Sequence, residues 1–212
     1  MAKGRFLDLH RHLPSTAFVL VVALIIAGFA GVFAYAGIYN IGADAPHSKA
    51  VYMALQSVRD RAIRHHARNI VVPKDLKDPQ RLATGAGLYT EMCSGCHLGP
   101  GVEPSEMSQG LYPPAPQLSK AMEYSPAQQF WIIKHGVKLS AMPAWGRTHS
   151  DALIWDMVAF VRSLPTMSAA QYQAAIASAP DDHDAMMAEM PGMAGMMQGP
   201  APAKAHGGEH PH

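Results

Sequence analysis

The most apolar stretch of the chain lies near its N-terminus, where no charged residue occurs between positions 13 and 43. Its apolar part is about long enough to cross a bilayer core as a helix. We therefore predict a transmembrane anchor over residues 14–41. Three basic residues precede this stretch and only Lys49 follows it closely. The positive-inside rule then predicts that residues 1–13 lie in the cytoplasm and that the rest of the chain is exported.

The same stretch also resembles a secretory signal peptide, because Ala34-Tyr35-Ala36 has the small-x-small pattern of a processing site. The apolar run is longer than a usual signal core, which favours an anchor that is retained. Either interpretation predicts that the exported part lies on the periplasmic side of a bacterial inner membrane.

Apolar residues recur at helical spacing after a short exit linker. Ser48 is a suitable N-cap, and Val51, Leu55 and Val58 follow it on one face. This pattern predicts a helix over about residues 48–68, within a juxtamembrane segment of residues 42–78. Arginines occupy its other faces, which is typical of a solvated surface, with anionic lipid or an acidic protein as the alternative contact.

Three further helices are indicated by their N-caps. Asp78 precedes a proline and begins a helix, Ser125 begins one of about 10 residues, and Ser150 begins one that ends at a Leu-Pro step. A short helix within residues 167–179 is also predicted, packing weakly or not at all on the rest. Between residues 98 and 118, proline and glycine without a clear period predict a long ordered loop.

The composition changes abruptly at residue 180, and residues 180–212 combine repeated Gly and Pro with no aromatic residue. Such a segment cannot bury enough apolar surface to fold, so we predict a disordered tail. Thioethers suit Cu(I) and imidazoles suit Cu(II), and the tail is rich in both. Copper binding is one hypothesis and an accidentally biased tail is the other. The candidate copper ligands are Met187, Met190, Met193, Met196, His206, His210 and His212.

The formal net charge of the chain is +1, and no basic cluster is interleaved with aromatic residues, so nucleic-acid binding is not predicted.

The chain has two cysteines, both in the sequence Cys93-Ser94-Gly95-Cys96-His97. Two thiols three apart lie on one side of a helical turn. Both can therefore bond to the vinyl groups of a porphyrin while His97 ligates its iron, which is the c-type haem attachment pattern.

A redox disulfide of the thioredoxin kind also uses Cys-x-x-Cys. The lack of other cysteines, the adjacent histidine and a second candidate ligand downstream favour one covalently bound haem c. That second ligand is Met142, which the following proline fixes in a loop before the last helix. Without haem a buried methionine would be ordinary core filler.

Residues 79–166 resemble a class I c-type cytochrome domain. The resemblance implies an all-α fold around one covalently bound haem, with the first and last helices of the domain crossing. It also implies that His97 and Met142 are the axial ligands, and that the Pro116 carbonyl accepts the other ring N–H of His97. The resemblance rests on Gly85, Tyr89, Cys93, Cys96, His97, the Pro116-Gln117-Leu118 step, the loop at Met142-Pro143-Ala144-Trp145-Gly146 and Phe160, all in the order of the family.

A Met/His pair closes the coordination sphere of the iron, so the resemblance implies electron transfer rather than catalysis. We predict a membrane-anchored monohaem cytochrome that carries single electrons between redox partner proteins of the periplasm or inner membrane, alone or within a respiratory complex. One alternative is ligation by His135 or His149, which gives a carrier of lower potential. Others are an open-site haem enzyme and a copper-linked redox protein with a copper protein as partner.

Overall fold

The computed structural model describes residues 14–120 and 123–180, and the chain divides into two units at Ala45 and Pro46. The first unit contains helix α1, Thr16–Tyr35, which has no buried residue. Among the described residues, α1 is the one helix long and apolar enough to cross a membrane, a test that a signal sequence also passes. The helix ends at Tyr35, short of the predicted anchor boundary at residue 41.

The second unit consists of helices joined by turns and loops, and its described residues, 46–120 and 123–180, contain no strand. This confirms the predicted all-α fold. Two 3-10 turns lie at Trp145–Arg147 and Leu164–Thr166. The helices in chain order are α2 Lys49–Ala67, α3 Pro79–Met92, α4 Ser94–His97, α5 Glu106–Gln109, α6 Pro126–His135, α7 Asp151–Ser163 and α8 Ala169–Ala177.

The helices begin where their caps predict. The Asp78 side chain accepts hydrogen bonds from the first backbone amides of α3, and Ser150 caps α7 in the same way. Ser125 and Gln128 form a reciprocal capping box at the start of α6. The short helix α5 inside the long loop was not predicted, because four residues are too few for a hydrophobic period to be recognised.

Helices α3 and α7 form the principal packing contact of this unit. Gly85 faces α7 so closely that a Cβ there would overlap the Asp156 carbonyl oxygen and lie 2.8 Å from the Phe160 Cβ. Tyr89 and Phe160 are buried beside this point, with ring centroids 5.5 Å apart. The predicted crossing of the first and last domain helices is confirmed, and it determines where the C-terminal end of α3 presents Cys93.

Helix α8 packs on the core, so the prediction that it packs weakly or not at all is wrong. Tyr172 is 1% exposed, and its ring centroid lies 6.4 Å from those of both Tyr89 and Phe160. The reason lies in the tertiary packing of the helix. Most of α8 is alanine and glutamine, and the space that its single aromatic ring fills exists because Gly99, far away in sequence, carries no side chain.

The buried side chains form two neighbouring clusters. One contains Cys93 with Tyr89, Phe160 and Tyr172. The other contains Phe130, Trp155 and Met157, and Met142 packs against it. Met92 contacts both clusters, so the end of α3 lies at the junction between the cysteine side and the Met142 side of the domain.

We expect Gly85→Ala to lower the free energy of unfolding by about 1–3 kcal/mol, because an added methyl group in a full contact forces the two helices apart. Urea unfolding of the haem-loaded protein measures this change. Gly110→Ala is the matched control, since a Cβ there would meet its nearest atoms at 3.7 and 3.8 Å. Equal unfolding midpoints for the two variants would contradict the close approach of α3 and α7.

Candidate functional site

Both cysteines and His97 lie on one helical turn at the end of α3. Cys93 is the C-cap of α3 and the N-cap of α4, and its carbonyl oxygen accepts hydrogen bonds from the amides of Cys96 at 3.2 Å and His97 at 2.9 Å. Both thiols are free. Cys93 is buried, whereas Cys96 and His97 are half-buried. One short segment therefore presents two thiols and an imidazole.

The electrostatics of Cys93 differ from those of a redox-active dithiol. Burial, reinforced by the nearby Cys96 thiol, raises the pKa of Cys93 to about 12. Thioredoxin-like proteins instead activate their attacking cysteine by lowering its pKa, because the thiolate is the nucleophile. The raised pKa of Cys93 is thus a shift in the opposite direction.

The ring of His97 is oriented by the backbone. Its Nδ1 atom lies 2.8 Å from the Pro116 carbonyl oxygen. A carbonyl can only accept, so Nδ1 donates, and Nε2 is left as the acceptor nitrogen. Burial lowers the pKa of His97, although the hydrogen bond to Pro116 opposes this effect. A neutral imidazole whose other nitrogen donates to a carbonyl is the form that ligates metals.

Two tyrosines hold the residues that follow His97. Leu98 has a positive φ of 60°, and its carbonyl oxygen accepts a hydrogen bond of 2.5 Å from the Tyr89 hydroxyl. Gly99 lies against the ring of Tyr172, where a Cβ would approach Cε1 to 2.6 Å. Tyr89 from α3 and Tyr172 from α8 therefore fix the path of the chain after the histidine. Tyr89 was recognised from the sequence, whereas Tyr172 was not.

Met142 is half-buried in a loop whose backbone is held by hydrogen bonds and by close contact with Gly136. The Met142 amide donates to Ser140 Oγ, and its carbonyl oxygen accepts from the Val137 amide, both at 3.2 Å. Gly136 has a φ of 66°, and a Cβ there would lie 2.6 Å from the Met142 carbonyl oxygen. A glycine is thus required for the approach of α6 to this loop, and the approach fixes the backbone of Met142.

The two alternative histidine ligands have protein contacts of their own. The His135 ring packs against Trp131 at the end of α6, with centroids 5.1 Å apart, and burial lowers its pKa. His149 is buried, and its Nδ1 lies 2.9 Å from Thr148 Oγ1.

A second methionine near the cysteines was missed by the sequence analysis. Met107 Sδ lies 3.5 Å from Cys96 Sγ, although the side chain is 63% exposed. Helix α5 brings it there, and Ser105, the N-cap of α5, donates a hydrogen bond of 2.6 Å to the Gly95 carbonyl oxygen. No sequence signal pointed to Met107, because the loop that contains it has no period.

The donor set fits a covalently bound haem. It offers two free thiols at the attachment spacing, a neutral imidazole held by a carbonyl, and a thioether in a shaped loop. Among the residues described, no group of three or more His, Cys, Asp or Glu side chains could hold another metal ion. The copper hypothesis stays a prediction, since its ligands lie outside the described residues: Met187, Met190, Met193, Met196, His206, His210 and His212.

The fold and the donor set together define a c-type cytochrome domain. Such a domain carries covalently bound haem c and transfers electrons. Residues 80–161 match the family described as cytochrome c oxidase, cbb3-type, subunit III. No curated protein and no solved structure matches the chain. The family match includes the cysteines, His97 and Met142, whereas α2 and α8 lie outside it.

We expect Tyr172→Ala to lower the free energy of unfolding by about 3–5 kcal/mol, because it removes a buried aromatic ring and leaves a cavity beside Gly99. Tyr172→Phe keeps the ring, so its loss should be below about 1.5 kcal/mol. Urea unfolding of both haem-loaded variants gives the comparison. If the alanine variant were no less stable than the phenylalanine variant, α8 would not contribute to holding the attachment segment.

Proposed function

We propose that the protein is a membrane-anchored monohaem c-type cytochrome that carries single electrons between redox partner proteins. Cys93 and Cys96 would hold the haem through thioether bonds, and His97 and Met142 would be the axial ligands of its iron. One observation carries this proposal: both thiols share a helical turn with His97, whose Nδ1 is 2.8 Å from the Pro116 carbonyl oxygen. When bound, the haem supplies one-electron redox chemistry.

The residues of the chain would set the properties of that centre. The hydrogen bond from His97 to Pro116 orients the imidazole and increases its basicity as a ligand. The Met142 loop, held by Gly136 and Ser140, offers a soft sulfur donor, and a Met/His pair favours a higher reduction potential than two histidines. A haem whose iron is held by both side chains would be suited to outer-sphere electron transfer and would leave no position on the iron for a substrate.

The composition of α1 supports attachment to a membrane, since the helix has no charged residue and its 20 residues are about the length that spans a bilayer. Lys3, Arg5 and Arg11 before this helix favour a cytoplasmic N-terminus and a periplasmic cytochrome domain. The family description, that of an oxidase subunit, supports partners in a respiratory chain. A tether would raise the effective concentration of the domain at a partner in the same membrane.

Ligation by Met142 is tested by optical spectroscopy of the haem-loaded protein. We expect a sulfur-to-iron charge-transfer band in the oxidised wild type that Met142→Ala abolishes. We also expect the reduced protein to bind carbon monoxide only in that variant, because only there is an axial position open. Met107→Ala is the matched control and should behave like the wild type.

Two results would contradict the carrier assignment as stated. Loss of the band in the Met107→Ala variant instead would show that Met107 is the ligand. A wild type that lacks the band and binds carbon monoxide readily would have an open iron site, which is the property of a haem enzyme rather than a carrier.

A further inference from the structure

Helix α2 is packed along only its C-terminal half. Ile63 and Ala67 are buried there, and the His66 ring stacks on Trp131 of α6 with centroids 5.5 Å apart and an interplanar angle of 9°. The Tyr124 hydroxyl also donates to Asp60 at 2.8 Å. By contrast, none of residues 49–58 is buried. The first half of α2 therefore projects from the part of the second unit that the structure describes.

The projecting half carries an exposed apolar stripe. Val51, Leu55 and Val58 are spaced i, i+4 and i+7, so they lie within about 60° of one another around the helix axis. Their exposed fractions are 38%, 44% and 68%. Tyr52 and Met53, on other faces of this half, are also exposed, at 39% and 67%. An exposed stripe of this kind is typical of a surface that binds another apolar phase.

The basic residues of α2 indicate that the apolar phase it contacts has a negatively charged surface. Asp60 is the one acidic residue of the helix, and its carboxylate lies 3.0 Å from Arg59 Nε. The first turn contains no acidic residue, so the positive end of the helix dipole is not compensated there. Arg61 and Arg68 are both exposed and lie one above the other on one flank of the apolar stripe. The basic residues of α2 and its C-cap are Lys49, Arg59, Arg61, Arg64 and Arg68.

We propose that the first half of α2 docks on the surface of an anionic phospholipid membrane, with Val51, Leu55 and Val58 among the acyl chains and Arg61 and Arg68 at the headgroups. The inference rests on the proposed membrane anchor. Between α1 and α2 there are 13 residues, which reach at most about 45 Å when fully extended. A bilayer spanned by α1 is therefore always within reach of α2, and its anionic lipids complement the basic flank.

Docking would have a consequence for electron transfer. The second half of α2 packs against α6, with Ile63 and Ala67 buried and His66 stacked on Trp131. Attachment of the first half to lipid would therefore fix the orientation of the cytochrome domain at the membrane. A domain on a flexible tether alone would instead rotate freely, and fewer of its encounters with a membrane-bound partner would be productive.

The test uses nitroxide labels on the full haem-loaded chain in nanodiscs of anionic phospholipid. Val58→Cys carries the label on the apolar stripe. Met53→Cys is the matched control, because Met53 is 67% exposed on the same helix but lies about 140° away around the axis. Gly28→Cys reports on the anchor, since no atom lies within 4 Å of a Cβ at that position. Both native cysteines are consumed by haem attachment, so only the introduced thiol reacts.

Each label is probed by paramagnetic resonance with two relaxation agents: molecular oxygen, which concentrates in lipid, and a water-soluble nickel chelate. We expect the Val58 label to be accessible to oxygen and protected from nickel, and the Met53 label to be accessible to nickel. A Val58 label as accessible to nickel as the Met53 label overturns the docking proposal. Protection of the Val58 label from both agents also overturns it, because a protein surface would then cover the stripe.

The Gly28 label separates this outcome from failure of the proposed function. If the Gly28 label is in lipid while the Val58 label is in water, the anchor stands and only the docking is wrong. If the Gly28 label is in water, the anchor itself is wrong.

Arg61→Gln should weaken the docking equilibrium reported by the Val58 label by about fivefold in anionic nanodiscs, since each basic residue contributes about 1 kcal/mol at such a surface. No change in that equilibrium would contradict the assigned role of the basic flank.

Discussion

The close approach of α3 and α7 at Gly85 is the contact on which the rest of the cytochrome domain depends. Because a Cβ there would overlap the Asp156 carbonyl oxygen, the two helix backbones meet without a side chain between them. This contact fixes the axis of α3, and the attachment turn is the direct continuation of that axis through Cys93. The positions of both thiols and of His97 are therefore set by helix packing. The long loop that follows adds contacts to this turn through Ser105 and Pro116.

His97 and the two residues after it are held by three separate parts of the chain. Tyr89 in α3 binds the Leu98 carbonyl oxygen, Tyr172 in α8 packs on Gly99, and the Pro116 carbonyl oxygen accepts the His97 ring N–H. Helix α8 lies beyond residues 80–161, which match the family. If His97 and Met142 ligate the haem iron as proposed, these protein contacts would hold both side chains in place when the charge of the iron changes, which suits rapid electron transfer.

Local signals in the sequence were sufficient for the helices and their starts, because a cap at Asp78 or Ser125 acts over three or four residues. The cysteines and His97 were recognisable for the same reason, since their chemistry needs a fixed short spacing. The features that were not predicted depend on contacts between residues that are distant in the sequence. The burial of Tyr172 depends on the missing side chain of a distant glycine, and the position of Met107 depends on a four-residue helix. Neither contact leaves a period in the sequence.

Covalent attachment of one haem to residues 93–97 can be tested by mass spectrometry of the protein purified from a host with haem maturation. After proteolysis, we expect a single peptide containing Cys93 and Cys96 that carries one haem through both sulfurs, with no free thiol left to alkylate. A peptide of unmodified mass, with two alkylatable thiols or an internal disulfide, would contradict the assignment of this site to haem c.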